Sequence, residues 1–207
     1  GRQAPRRQGA AMIDPANRDV WLHRVLFVAL ALVFLFFRLL PMGTTPAESC
    51  APDAGWCRAM DWLAHMPGPD LMLCIIFAWT MRRPDYLPTL LIAAVVLTED
   101  IVLLRPPGLW TALVVIASEF IRSRVALTRE LNFGVEWLLV SAMMVVMLIV
   151  YRMAFGLVLL PQPPFGFAMV QVIWSILCYP LVVFLSRVVL DLYKPGMGEV
   201  DAYGRRL

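Results

Sequence analysis

The chain has 207 residues, 60% of them apolar and only 16% charged, with a mean hydropathy of +0.73. That charged share lies well below the roughly 25% of an ordinary soluble domain, and a net charge of +3 is too small for a nucleic-acid binder. With two histidines and no Cys-x-x-Cys pair, the chain lacks a typical multi-histidine or thiolate metal centre, and neither a metal nor a cofactor is expected.

In chain order, residues 1–11 precede Met12, which reads as the native start, so this stretch is expected to be a non-native extension or upstream read-through. The first apolar segment, 21–41, has the length of a membrane span, since a hydrocarbon core about 30 Å thick needs about 20 helical residues. Its basic front also fits a signal peptide. Cleavage would leave five spans and break the charge alternation described below, so an uncleaved helix is expected.

Loop 42–67 is the only sizeable extramembrane element. Trp56, Ala59, Met60, Leu63 and Met66 recur there at helical spacing, which suits a short helix lying in the membrane interface or capping the bundle. Cys50 and Cys57 share this loop and are the candidate disulfide in an oxidising compartment. Cys74 and Cys178 fall in apolar segments and read as buried thiols.

Segment 69–81 is the weakest candidate span. Counted to Arg83 it covers about 22 Å at a rise of 1.5 Å per residue. Pro69 suits a first helical position, and Asp70 meets the positive end of the helix dipole. A short span is expected, with a re-entrant hairpin as the alternative. Segments 88–104, 109–121, 135–160 and 165–192 complete a predicted all-α membrane protein, a bundle of six transmembrane helices over residues 12–194 with a cytoplasmic tail at 195–207.

Lys and Arg collect on the cytoplasmic side of membrane proteins. Arg18 precedes the first segment and Arg24 lies in its first turn, Arg82 and Arg83 join the second to the third, and Arg122, Arg124 and Arg129 join the fourth to the fifth. Lys194, Arg205 and Arg206 follow the last, whereas the alternate loops are poor in basic residues. Every second loop is basic, so both termini are expected in the cytoplasm.

A charge at mid-bilayer costs at least about 2.5–3.5 kcal/mol, so it requires a partner, an interface or a task. On this topology Arg38, Glu99, Asp100 and Arg152 share the outer leaflet. An ionic cluster centred on Asp100 and Arg152 is expected, with snorkelling as the alternative, easiest for Arg38. Glu119 and Arg122, three residues apart, read as a local surface pair.

Chemistry is sparse. No Gly-x-Ser-x-Gly elbow, phosphate-cradling glycine loop or His-Glu-x-x-His appears. Ser118, Ser141, Ser175 and Ser186 stand alone on apolar helices, where serines usually bond helix backbone. His23 reads as an interfacial side chain, His65 as a loop side chain, and the methionines as adaptable packing. No catalytic residue is expected. Small residues that permit close helix approach are Ala93, Ala94 and Ala117, or Ser141, Ala142 and Ala154, the candidate helix-docking faces.

The second span opens with Pro69-Asp70-Leu71 and carries Trp79 before the turn Arg82-Arg83-Pro84. Asp100 sits late in the third span, Gly108 begins the fourth, and Pro180 lies within the last. This layout resembles the bacterial rod shape-determining MreD family across roughly residues 18–194. One departure is Leu91-Ile92-Ala93-Ala94-Val95-Val96, where the family tends to carry glycines. The resemblance implies a fold similar to the substrate-binding subunits of energy-coupling-factor transporters. It also implies a non-enzymatic role in cell-wall elongation, alongside an MreC-like bitopic protein, the elongation transglycosylase and transpeptidase, and actin-like MreB. A small-molecule-binding transport subunit is the alternative.

Overall fold

The computed structural model describes residues 15–40, 67–128, 132–158 and 164–190, and among them every regular element is helical. The Cys50–Cys57 pair, the amphipathic stretch from Trp56 to Met66, His65, the N-terminal extension and the C-terminal tail lie outside the described residues. The described residues form six α-helices: α1 Pro15–Leu39, α2 Leu71–Arg82, α3 Thr89–Val102, α4 Leu109–Thr128, α5 Phe133–Leu157 and α6 Phe165–Leu190. A 3₁₀ turn, Pro84–Tyr86, separates α2 from α3.

Prolines and one polar cap set the boundaries. The cap of α2 is Asp70, whose carboxylate accepts the Leu73 N–H at 3.2 Å, so the helix begins one residue after the cap and Pro69 stays outside it. The same helix ends before Pro84, which disfavours helical geometry at Arg83. Beyond α3, Leu104 adopts φ 53° and Gly108 φ 93°, and the Arg105-Pro106-Pro107 stretch between them cannot continue a helix. The left-handed conformation suits Gly108, which has no Cβ, and is a strained one for Leu104.

Helix α2 is both short and central. Every residue from Met72 to Arg82 is buried, as expected of a helix that is apolar all round. It packs on α6, α4 and α1, while α3–α4, α4–α5 and α5–α6 pack as sequential neighbours. Phe27, Phe77, Trp79, Ile92, Met144 and Tyr179 bring α1, α2, α3, α5 and α6 together in one core. At the foot of α1, His23 stacks on Tyr86 with ring centroids 4.4 Å apart, and Arg24 donates to the Asp85 carbonyl at 3.1 Å. His23 is thus a packing residue that fastens α1 to the 3₁₀ turn.

Pro180 lies inside α6 and has no N–H to offer the Ile176 carbonyl. The Trp137 indole N–H from α5 donates to that carbonyl at 2.9 Å. A side chain of a neighbouring helix thus fills the gap the proline leaves. Trp137→Phe is expected to lose about 1 kcal/mol, read by chemical unfolding in detergent micelles; unchanged stability would show that the Ile176 carbonyl does not depend on the indole.

Candidate functional site

Charged side chains gather at both ends of α2. At its N-terminal end, Arg38 from the last turn of α1 reaches two carboxylates. Its Nη2 lies 3.5 Å from Asp70 Oδ2, and its Nη1 donates to Glu99 Oε1 on α3. The Asp70 backbone N–H donates to Ser175 Oγ at 2.8 Å, and Ser175 Oγ donates in turn to the Gln171 carbonyl at 2.8 Å. Cys74 Sγ donates to the Ser175 carbonyl at 3.3 Å. Asp70 therefore caps α2, pairs with α1 and bonds α6, and its partner Arg38 extends the link to α3.

Arg38 and Glu99 are thus brought together as expected, but around Asp70. Asp100 is fully buried, and its Oδ2 accepts both the backbone N–H (3.2 Å) and the Oγ1 hydroxyl (2.8 Å) of Thr111. Thr111 is the third residue of α4, so Asp100 caps that helix from α3 and meets the positive end of its dipole. No ion pair between Asp100 and Arg152 occurs among the described residues. The Arg152 guanidinium lies 5.1 Å from the Phe165 ring centroid, a cation–π distance. The expected centre on Asp100 and Arg152 is corrected: the ionic centre is Arg38 with Glu99 and Asp70.

The other end of α2 holds a network that the sequence reading did not foresee. Arg82 Nη1 donates to Glu136 Oε1 at 2.8 Å, and the Tyr179 hydroxyl donates to the same oxygen at 3.0 Å. Glu136 is only 1% exposed. A single acidic residue opening an apolar helix, opposite the basic end of another, was the available signal.

Glu119 and Arg122, expected to be a local pair, do more. They pair at 3.2 Å, but Glu119 also accepts the Thr89 hydroxyl, and Arg122 Nη2 donates to the Leu87 carbonyl at 2.6 Å. Together they tie α4 to the start of α3.

Of the candidate docking residues, Ala117 is 2% exposed and belongs to the core, so it offers no docking surface. Ala94 and Ala142 are exposed, Ala93 and Ala154 half-buried. Ser141 Oγ donates back to the Trp137 carbonyl at 2.7 Å. Ala94 lines a cleft of about 570 Å³ between α1, α2 and α3, with Arg38 and Glu99 at one end and Phe34, Leu71 and Val95 among its apolar walls. A second cavity of about 370 Å³ lies between α2, α5 and α6 near Arg105 and Arg152. Among the described residues no His, Cys, Asp or Glu group is placed to hold a metal ion.

Among the described residues every regular element is helical, and three helices, Val20–Leu39, Phe133–Leu157 and Phe165–Val188, are long and apolar enough to cross a membrane. No family model, curated protein or solved structure matches the chain.

Proposed function

We propose that this chain is a non-enzymatic, membrane-embedded component of the bacterial cell-wall elongation complex, of the MreD kind. In this reading it crosses the inner membrane six times, keeps both termini in the cytoplasm and holds partner transmembrane helices. The observation that carries it is the part played by Asp70. The second residue of Pro69-Asp70-Leu71 ties α2 to α1 and α6 and, with Arg38, to α3. The motif behind the resemblance is therefore a structural joint. Outward apolar side chains such as Leu138 and Met153 on α5, or Leu181 and Phe184 on α6, suit contact with lipid and with other helices.

The proposed partners are an MreC-like bitopic protein and, nearby, the elongation transglycosylase and transpeptidase and actin-like MreB. The second reading is a small-molecule-binding transport subunit, favoured by two cavities in the size range of ligand pockets.

Depletion is expected to round rod-shaped cells. Ala142→Trp, on the exposed face of α5, should insert normally yet fail to restore the rods. Full rescue by this variant, with depletion instead abolishing uptake of a small molecule, would favour the transport reading. The six-span topology has its own test. In variants with a single cysteine, an impermeant thiol reagent should label position 49 and spare position 85 in intact cells. The reverse pattern would overturn the orientation.

A further inference from the structure

Helix α1 is fastened to the bundle at two levels, and a cleft lies between them. At the lower level Phe27 is fully buried, its ring centroid 5.8 Å from that of Trp79, and His23 and Arg24 hold the 3₁₀ turn. At the upper level Arg38 meets Asp70 and Glu99. The cleft of about 570 Å³ runs along α1 from Val28 to Arg38, and along α3 from Leu91 to Glu99. Ten helical residues cover about 15 Å, half of a hydrocarbon core about 30 Å thick. Leu32 on α1 and Ala94 and Thr98 on α3 line the cleft and are exposed, so it opens between these two helices. Its polar end has bonding capacity to spare. Arg38 engages the two carboxylates through Nη1 and Nη2, and a guanidinium has five N–H donors. Glu99 is 8% exposed, yet its Oε2 accepts no hydrogen bond among the described residues. Arg105, another cation near Glu99, lines the separate cavity beside α5 and α6.

We propose that this cleft holds a phospholipid whose headgroup carries a primary ammonium. One acyl chain lies along Val28, Leu35, Leu91 and Val95, the ammonium donates to Glu99 Oε2, and the phosphate meets the remaining N–H groups of Arg38. Charge of both signs at one end suits a zwitterion, and both contacts are charge-assisted hydrogen bonds. An anionic headgroup would bring no cation to Glu99. The depth argues for a chain of one leaflet. A partner's transmembrane helix would run the full width of the membrane, whereas the cleft stops halfway, where Phe27 packs toward Trp79. Free phosphoethanolamine would leave the apolar walls unused, which favours the lipid as the source. The proposal rests on the membrane setting proposed above, but on neither the partner protein nor the cell-wall role.

The test uses the purified full chain in non-ionic detergent, titrated with dioleoylphosphatidylethanolamine and read by native mass spectrometry. One lipid should be retained per chain. Dioleoylphosphatidylcholine, whose ammonium has no N–H, and dioleoylphosphatidylglycerol, which has no cation, should each be retained about tenfold less. Glu99→Gln should bring the ethanolamine lipid down to the level of the glycerol lipid. Ala94→Trp should obstruct the cleft and lower retention of all three, whereas Met153→Trp, on the exposed face of α5, should change nothing. Equal retention of the ethanolamine and choline lipids would overturn the ammonium contact. Retention by Ala94→Trp equal to that of the parent would overturn the cleft as the site, and tight binding of phosphoethanolamine the lipid source. If Glu99→Gln does not fold, Ala94→Trp decides, with its ligand-free thermal unfolding compared with the parent. Because purified protein and lipid suffice, failure here is separate from failure to copurify a partner.

Discussion

Glu136→Ala is expected to destabilise the protein by about 3–5 kcal/mol, because it removes one partner of a buried ion pair. Arg82 would keep its charge, buried at the end of α2, and Tyr179 would lose its acceptor. The loss should appear as a lower midpoint of chemical unfolding in micelles and a smaller monodisperse fraction after extraction. Replacing both members by apolar residues of similar size, Arg82→Met with Glu136→Leu, should recover most of it, since no uncompensated charge remains. Glu119→Ala provides the comparison. Glu119 belongs to a more exposed pair, where about 1 kcal/mol or less is at stake. Equal effects of Glu136→Ala and Glu119→Ala would contradict the assignment of the Arg82–Glu136–Tyr179 network as a structural anchor.

Arg38→Ala is expected to cost about 3 kcal/mol, toward the lower end of the range for a broken buried pair because Arg38 is itself partly exposed. Two carboxylates, Asp70 and Glu99, would be left close together without their shared cation. Asp70 would still cap α2 through the Leu73 N–H, so the damage should concentrate where α1 meets α2 and α3. Arg38→Lys should restore only part of the stability, because an ammonium cannot span both acids as a guanidinium does. Faster hydrogen exchange in α1 than in α5 would accompany the loss. If Arg38→Lys matched the parent, or Arg38→Ala left α1 as protected as before, Arg38 would be an ordinary arginine at a helix end.

Much of the helix layout was legible in the sequence because apolar length and proline punctuation are local signals. The segment 165–192 corresponds to α6 Phe165–Leu190, and Asp70 stands at the start of α2 as its charge suggested. Helix α4 continues to Thr128, past the expected stop at Ile121. There the composition turns polar, but Arg122 and Arg124 are good helix formers, so the end of an apolar run was not the end of a helix.

The charge pairing was harder to read, for a physical reason. Depth along a helix can be counted from sequence, but the direction in which a side chain points depends on how the helices pack. Depth alone matches Asp100 with Arg152, yet Asp100 faces the start of α4, where its Oδ2 is bonded by Thr111. By position Arg82 reads as a loop charge that orients the chain, although its guanidinium turns inward to Glu136. A basic residue at the end of a helix can serve as a buried partner, and only the packing of α2 against its neighbours distinguishes the two uses.

Partner binding is tested most directly by mild detergent extraction of the native membrane, affinity capture of this chain and quantitative mass spectrometry of what accompanies it. The expected result is an MreC-like bitopic membrane protein in near-equal amount with this chain, with the elongation transglycosylase and transpeptidase enriched at lower levels. Capture of an ATP-hydrolysing transport module in their place, or of this chain with no membrane partner at all, would contradict it.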